Sequence, residues 1–391
     1  MKILFLTWEN FGTDGMISAF RQLGHEVAPL STSQEELLGD EIGLKLGSEA
    51  AKRSPDIVFG FNYFPNVAKK TADIGLDYYA WVYDNPCVQL YSHTILLPTN
   101  HVYVFDSDTY LKFHSQGIKT ISYLPMAATP SSDAGCLATG RYKTDVAFVG
   151  SLYDEKHNFY DRMMSRGVSD RTSGYLRGIM ESQKQLYGVN LVESLLTDSV
   201  IKEMQESLPL QPGADSAITT RTLFAEYVIN RKITAEERRD ALTMLGNRLG
   251  NVALYTGDKT VRIPGCVNHG PIDPYGEAPA VYNSSRINLN VSLRSIVNGI
   301  PLRCFEIMGA GGFLLSSHAG DFAGLFEDGR DYVAYDGLPD MLDKCEYYLA
   351  HEAERREIAE NGLQRIREAH TYVHRAEEML GKADQFGISQ S

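Results

Sequence analysis

Arg303 and Glu306 stand three residues apart in the segment PLRCFEIMGAGGFLLSS, Pro301–Ser317. On a helix that spacing sets both side chains on one face, one turn apart. A guanidinium there can neutralise a phosphate, and a helix starting near Leu302 adds its unpaired N–H groups and dipole. Read more plainly, the two form a simple ion pair. Lys156, just past DVAFVGSLY, is a second cation at a strand end, and Gly150 lies at that same end. Asp84, in WVYDNP, directly follows an apolar run. A carboxylate so placed can take a proton from a hydroxyl, although Asp–Asn–Pro also favours a turn for local reasons. Asp14 and Asp106 are the other carboxylates positioned for the same work. Asp106 and Asp108, in VFDSD, also form a pair able to hold a divalent cation. Asp108 equally suits the cap of a helix over Thr109–His114.

These residues need elements to hold them. Short apolar runs recur at Ile3–Thr7, Val27–Leu30, Asp56–Phe61, Tyr79–Tyr83, Val102–Phe105 and Ile121–Leu124. Helical or loop stretches separate them, as in Met16, Ile17, Phe20 and Leu23 before Gly24. Such alternation predicts βαβ units and a parallel sheet. Residues 128–144, rich in Ala, Ser, Thr, Gly and Pro, read as a linker. The pattern restarts with Asp145–Gly150 and resumes at Val252–Thr256, Ile287–Val291, Phe313–Leu315 and Tyr332–Tyr335. Residues 155–250 are polar and helical in texture, an insertion after the first strand of a second α/β domain. Gly309, Gly311 and Gly312 give the backbone freedom to turn from the helix carrying Glu306 into the next strand. In open parallel sheets ligands bind beyond the carboxyl ends of the strands, where Asp14, Asp84, Asp106, Gly150 and Lys156 fall.

Composition narrows the function. The chain has 391 residues, 43% hydrophobic and 22% charged, with a net charge of −13. The length predicts two domains, and the acidic balance argues against nucleic acid, which needs a basic stripe. The five cysteines are scattered and show no metal or redox spacing. They predict a reducing, cytoplasmic setting. The opening MKILFLTWEN reads as a first strand rather than a signal peptide. No run reaches the ~18 apolar residues of a membrane span.

Four segments agree in order and spacing: WVYDNP at 81–86, VYVFDSDTYLKFHSQGIKTISYLPMA at 102–127, DVAFVGSLYD at 145–154, and RINLNVS at 286–292 running through GIPLRCFEIMGAGGFLLSS. A tail from Phe326 follows, with Thr371, Tyr372 and Arg375 after a charged helix. Together they resemble the CgeB-like glycosyltransferases, a branch of the GT-B superfamily named after a spore-maturation protein. The resemblance covers most of the chain outside the insertion at about 155–250. It implies two Rossmann-like domains facing across a cleft. Residues 1–140 would bind the acceptor, residues 144–370 the nucleotide sugar, and a last helix, about 371–385, would cross back to the first domain.

The resemblance also assigns roles. Glu306 would hold the ribose hydroxyls of a UDP-linked donor, and Arg303 and Lys156 would neutralise the departing diphosphate. Many retaining GT-B enzymes carry two glutamates in this stretch. The second falls on Glu306, whereas the first falls on Asn298, which can hydrogen-bond a sugar but brings no charge. Asn298 and Gly299 would line the sugar pocket, and Asp84 would be the base of an inverting transfer. No metal and no cofactor beyond the nucleotide sugar are expected. The acceptor, a glycan, protein or small molecule, is left open. Two other readings keep the fold: a nucleotide-sugar epimerase, and a catalytically silent binding module, which the departure at Asn298 favours. A phosphorylase ranks lower, since no lysine sits in a matching pyridoxal phosphate setting.

Overall fold

In the computed structural model, residues 1–8, 10–132, 140–153 and 158–385 are described, the last four of them by backbone only. The apolar runs form two six-stranded parallel sheets, because strands buried on both faces must be apolar throughout. The first sheet holds β1 (Lys2–Thr7), β2 (Glu26–Ser31), β3 (Ile57–Phe61), β4 (Asp77–Val82), β5 (Asn100–Val104) and β6 (Ile121–Tyr123), in the order β2-β1-β3-β4-β5-β6. The second holds β7 (Thr144–Val149), β8 (Val252–Tyr255), β9 (Cys266–Asn268), β10 (Ser285–Asn290), β11 (Leu314–Ser317) and β12 (Val333–Tyr335), in the order β12-β11-β10-β7-β8-β9. Strand β9 had no counterpart among the apolar runs. It is a three-residue edge strand whose Val267 is 59% exposed, so burial wrote no pattern into it.

Two compact units result. One comprises Met1–Thr129, Ala214–Ala217 and Glu368–Ser391, the other Pro130–Gly213 and Ile218–Arg367. In the first unit the helix Thr13–Gln22 buries Met16, Ala19 and Phe20. It begins at Gly12, whose φ of 82° a side chain would strain. A Cβ on Gly15 would lie 2.5 Å from the ring of Tyr372. Glycine is required there because Tyr372, on the closing helix Tyr372–Gln385, fills the space. Arg375 is 4% exposed, and its Nε donates to the carbonyls of Pro125 (2.8 Å) and Met126 (3.2 Å). Burial lowers its pKa to about 10. Tyr372 and Arg375 thus fasten the closing helix to this unit. Residues 214–217 dock on it too: the Ala217 N–H donates to the Tyr91 carbonyl at 2.8 Å, and Ser92 Oγ to Asp215 at 2.7 Å.

In the second unit the stretch between β7 and β8 is helical. It builds a core of its own from Met163, Leu176, Ile179, Met204, Phe224 and Ile233. Ser169, Thr197 and Thr219 cap its helices through their side-chain oxygens. A π-helical turn, Phe224–Ile229, leads into the long helix Asn230–Leu249. The helix Leu302–Gly309 ends as its glycines require. Gly311 has φ of 76°, and the Gly312 N–H closes on the Ile307 carbonyl at 2.9 Å. A Cβ on Gly312 would stand 2.6 Å from Asn288 Nδ2, so only glycine lets the chain enter β11 here. Among the described residues, no helix is long and apolar enough to cross a membrane.

Candidate functional site

Arg303 and Glu306 project from the first turns of the helix Leu302–Gly309, which joins the region after β10 to β11. Both are partly exposed at the surface. The Glu306 carboxylate has no hydrogen-bond donor among the described residues, while the Arg303 guanidinium donates from Nη1 to the Tyr282 hydroxyl at 2.8 Å. Arg303 is thus held by a tyrosine and acts on Glu306 through space. Burial pushes the Glu306 carboxyl above its usual range, opposed by the charge of Arg303. Burial also opposes the charge on Arg303, but Tyr282, Glu306, Tyr153 and Cys304 outweigh it and raise its pKa further. The Tyr282 hydroxyl is pushed up to about 12, chiefly by burial. The site therefore holds a fixed cation beside a carboxylate free to accept hydrogen bonds.

A second arginine joins it. Arg238, on the helix Asn230–Leu249, is 8% exposed. Its Nε and Nη2 donate to the Val291 carbonyl at 3.1 and 2.6 Å, and its Nη1 donates to the Ser151 carbonyl. The guanidinium also lies 4.8 Å from the Tyr153 ring centroid and 5.4 Å from that of Phe148. Burial lowers its pKa, and the charge of Arg303 adds to this. Arg238 therefore ties the loop after β7 to the end of β10, and its charge is felt at Arg303. Sequence reading passed it over inside TAEERRDAL, a run that looks like a solvated face. One signal was available: Arg238 stands three and four residues before the buried Ala241 and Leu242. A charged residue in the apolar stripe of a helix is a buried one.

The remaining candidates in this unit divide. Gly150 sits at the end of β7, where its N–H donates to the Tyr255 carbonyl at 2.9 Å and a Cβ would meet the Phe148 ring at 3.3 Å. Lys156 lies outside the described residues. Asn298 and Gly299 occupy the loop before the Glu306 helix. The Asn298 carbonyl accepts from the Asp321 N–H at 2.9 Å, and its Oδ1 lies where a Cβ on Gly320 would come within 2.8 Å. A narrow polar pocket opens beside this loop, at the ends of β10 and β11. It is lined among others by Gln183, Tyr187, Ser292, Arg294, Ser317 and His318. Arg294 pairs through Nε and Nη2 with the buried Glu237 and stacks 4.0 Å over the Tyr187 ring centroid. Its Nη1 donates to the Leu186 carbonyl at 2.7 Å, so the pair holds the loop of the insertion in place.

In the first unit, Asp84 falls in the turn after β4 and is exposed. The Asn62 amide, just past β3, donates to Asp84 Oδ2 at 2.7 Å. Asn62 holds a φ of 62°, and its own Oδ1 accepts from the Tyr83 and Asp84 N–H groups at 3.2 and 3.3 Å. Asp84 is therefore both the turn residue its sequence suggested and an oriented, water-facing carboxylate. Asp14 is exposed in the first turn of the helix Thr13–Gln22. Asp106, 1% exposed, caps the helix Ser107–His114 through the Asp108 N–H at 3.1 Å and accepts from the Asn85 amide at 2.9 Å. The cap is thus Asp106, two residues before Asp108, which the sequence suggested. Among the described residues, no group of three or more His, Cys, Asp or Glu is placed to hold a metal ion.

Comparison with known proteins follows this geometry. Residues 231–381 match the model of a family described as glycosyl transferase-like. That range contains Arg238, Asn298, Gly299, Arg303 and Glu306, while Gly150, Asp84 and Asp14 lie outside it. No curated protein matches the chain. Among solved structures, sucrose-phosphate synthase from Thermosynechococcus elongatus is similar over 99% of this chain and 99% of its own, with TM-score 0.54 and 12% identity. HepE of Anabaena in complex with UDP is similar over 98% of this chain and 100% of its own, with TM-score 0.50 and 10% identity. The same protein in complex with UDP-glucose has TM-score 0.50 and 9% identity. The chain has the GT-B fold of glycosyltransferases throughout, and carries a glycosyl transferase-like segment over residues 231–381.

Proposed function

We propose that this chain is a glycosyltransferase that moves a sugar from a UDP-linked donor to a hydroxyl acceptor, of the CgeB-like branch. The observation that carries the reading is the pair on the helix Leu302–Gly309. Glu306 offers a carboxylate without a donor among the described residues, next to Arg303, a cation held by Tyr282. A vicinal diol and a diphosphate are the groups such a pair suits, because a carboxylate accepts two hydroxyl hydrogens and a guanidinium grips phosphate oxygens. A nucleoside diphosphate carries both. Fold similarity to HepE, solved with UDP and with UDP-glucose, supports the choice of nucleotide.

In this reading Glu306 holds the ribose. Arg303 neutralises the diphosphate as it leaves, with Arg238 fixing the loop after β7 beside it and Lys156 as a further cation. Asn298 and Gly299, next to the polar pocket, face the sugar, and Gly150 lets the backbone approach the donor. Asp84 takes the acceptor proton if the transfer inverts, with Asp14 as the alternative base. The nucleotide sugar is a co-substrate, and charge stabilisation by side chains and helix N–H groups makes a metal unnecessary. The free state of Cys87, Cys266, Cys304 and Cys345 supports a cytoplasmic setting.

A thermal-shift panel of nucleotides and nucleotide sugars tests the donor class, since a ligand raises stability by mass action. UDP and at least one UDP-sugar should stabilise the protein, and that UDP-sugar should be turned over with a chelator present. Arg303→Ala should lower turnover more than Arg303→Lys, because a point charge replaces part of the forked contact. No shift with any uridine nucleotide, or full activity of both variants, would overturn the assignment.

A further inference from the structure

The carboxyl-end rim of the first unit's sheet is aromatic. Trp8 follows β1, Phe64 follows β3 and Tyr83 follows β4. Trp8 and Tyr83 are stacked with centroids 6.5 Å apart and planes at 16°. Phe11 meets Tyr83 edge-on at 6.1 Å, and Phe64 meets Trp8 edge-on at 5.9 Å. Phe11 is 36% exposed, and Trp8 and Tyr83 are half-buried. The water-facing Asp84 adjoins Tyr83, and Asn62 orients it. Among the described residues, the rim segments at 10–14, 62–65 and 83–86 carry acidic and amide groups and no Lys, Arg or His.

This combination selects among hydroxyl acceptors. A phosphate- or carboxylate-bearing acceptor finds no counter-charge on the rim and is repelled by Asp14 and Asp84. A lipid alcohol needs a continuous apolar channel, whereas here amide and carboxylate groups border the rings. A pyranose ring has one face of C–H bonds, which packs on aromatic carbon, and an edge of hydroxyls, which needs acceptors such as Asp84.

We infer that the acceptor is a neutral carbohydrate whose ring packs on Phe11 and Tyr83 with a hydroxyl beside Asp84. This rests on the glycosyl-transfer reading. In the transfer the acceptor oxygen bonds to the anomeric carbon and the bond from that carbon to the diphosphate breaks. UDP leaves with the electron pair, and the hydroxyl proton passes to a base, Asp84 on an inverting route.

The chain provides its own reporter. It has two tryptophans, and Trp81 is 1% exposed in the core, so Trp8 is the one at the rim. Full-length protein saturated with UDP is titrated with methyl glycosides of glucose, galactose, mannose, N-acetylglucosamine and rhamnose, and with a serine peptide and a polyprenol as comparison probes. A saturable change in tryptophan emission with at least one glycoside is expected, and Trp8→Phe abolishes it. Phe11→Ala, at an exposed position that leaves the fold intact, weakens that glycoside about tenfold, while UDP affinity stays within about twofold. If UDP binds but no glycoside is detected, or if the peptide or the polyprenol is the probe that binds and accepts sugar, the inference is overturned. An unchanged glycoside affinity in Phe11→Ala overturns it too. Failure of UDP itself to bind the wild-type protein refutes the donor reading instead.

Discussion

Replacing Glu306 by glutamine should strengthen the empty protein and weaken its hold on UDP. The carboxyl has a raised pKa because burial disfavours its charged form, so the folded chain holds this proton more tightly than the unfolded chain does. Stability from this group is therefore full below the ordinary carboxyl range and is lost as pH rises through the raised value. Above that raised value the wild-type fold carries a partly buried charge with no hydrogen-bond donor among the described residues. Glutamine keeps the shape and removes the charge, which relieves on the order of 1 kcal/mol. For a unit of this size that corresponds to about 2–4 °C in Tm. The same change removes the charged acceptor for the ribose. Hydrogen bonds to a charged group contribute about 1.5–3 kcal/mol, so Kd for UDP should rise roughly 10- to 150-fold. Glu306→Ala should lose as much. Scanning calorimetry on the apo-protein and titration calorimetry with UDP measure the two effects. Wild-type affinity should also fall as pH drops through the raised value of Glu306, and the Gln variant should lack that component. The titration of the UDP phosphate near pH ~6 is common to both. A Glu306→Gln protein with lowered Tm and unchanged UDP affinity would show that Glu306 is structural and refute the assignment.

Arg238→Ala leaves the Val291 and Ser151 carbonyls without their charged donor, and should cost about 3 kcal/mol in urea unfolding. Arg238→Lys should recover part of that stability but little turnover, since an ammonium cannot bridge both carbonyls; wild-type turnover in either variant would count against its positioning role. Asp84→Asn preserves the turn and removes the basicity, so turnover should drop ~100-fold or more on an inverting route. A near-normal rate with donor bound would leave Asp84 a turn residue and move the search to Asp14. Gly15→Ala drives a methyl into the Tyr372 ring and should destabilise by about 1–3 kcal/mol. In a Tyr372→Ala background the penalty should largely vanish; an unchanged penalty there would mean the clash is not with Tyr372.

The two sheets were legible because a parallel strand is buried on both faces and must be written as an unbroken apolar run. That constraint marks the inner strands; the edge strands β2 and β6 were still visible as short apolar runs, whereas β9, an edge strand with one face in water, was not. The spacing of Arg303 and Glu306 also declared itself, since three residues on a helix fix a shared face whatever surrounds it. What that face meets was not in the spacing. The plain reading paired the two residues with each other, whereas Tyr282, from a different element, takes the Arg303 hydrogen bond. Arg238 and Glu237 lie in a charged run that a linear reading sends to solvent. Packing of that helix on the sheet turns both inward, where Val291, Ser151 and Arg294 satisfy them. Gly12 and Gly15 resemble an ordinary loop until Tyr372 arrives from the far end of the chain to fill the space they leave. Local sequence thus determined where eleven of the strands run and which chemistry gathers near their ends. Contacts between residues remote in sequence decided which charges are held and which are left open to a ligand, because burial and hydrogen-bond partners exist only once the chain has folded.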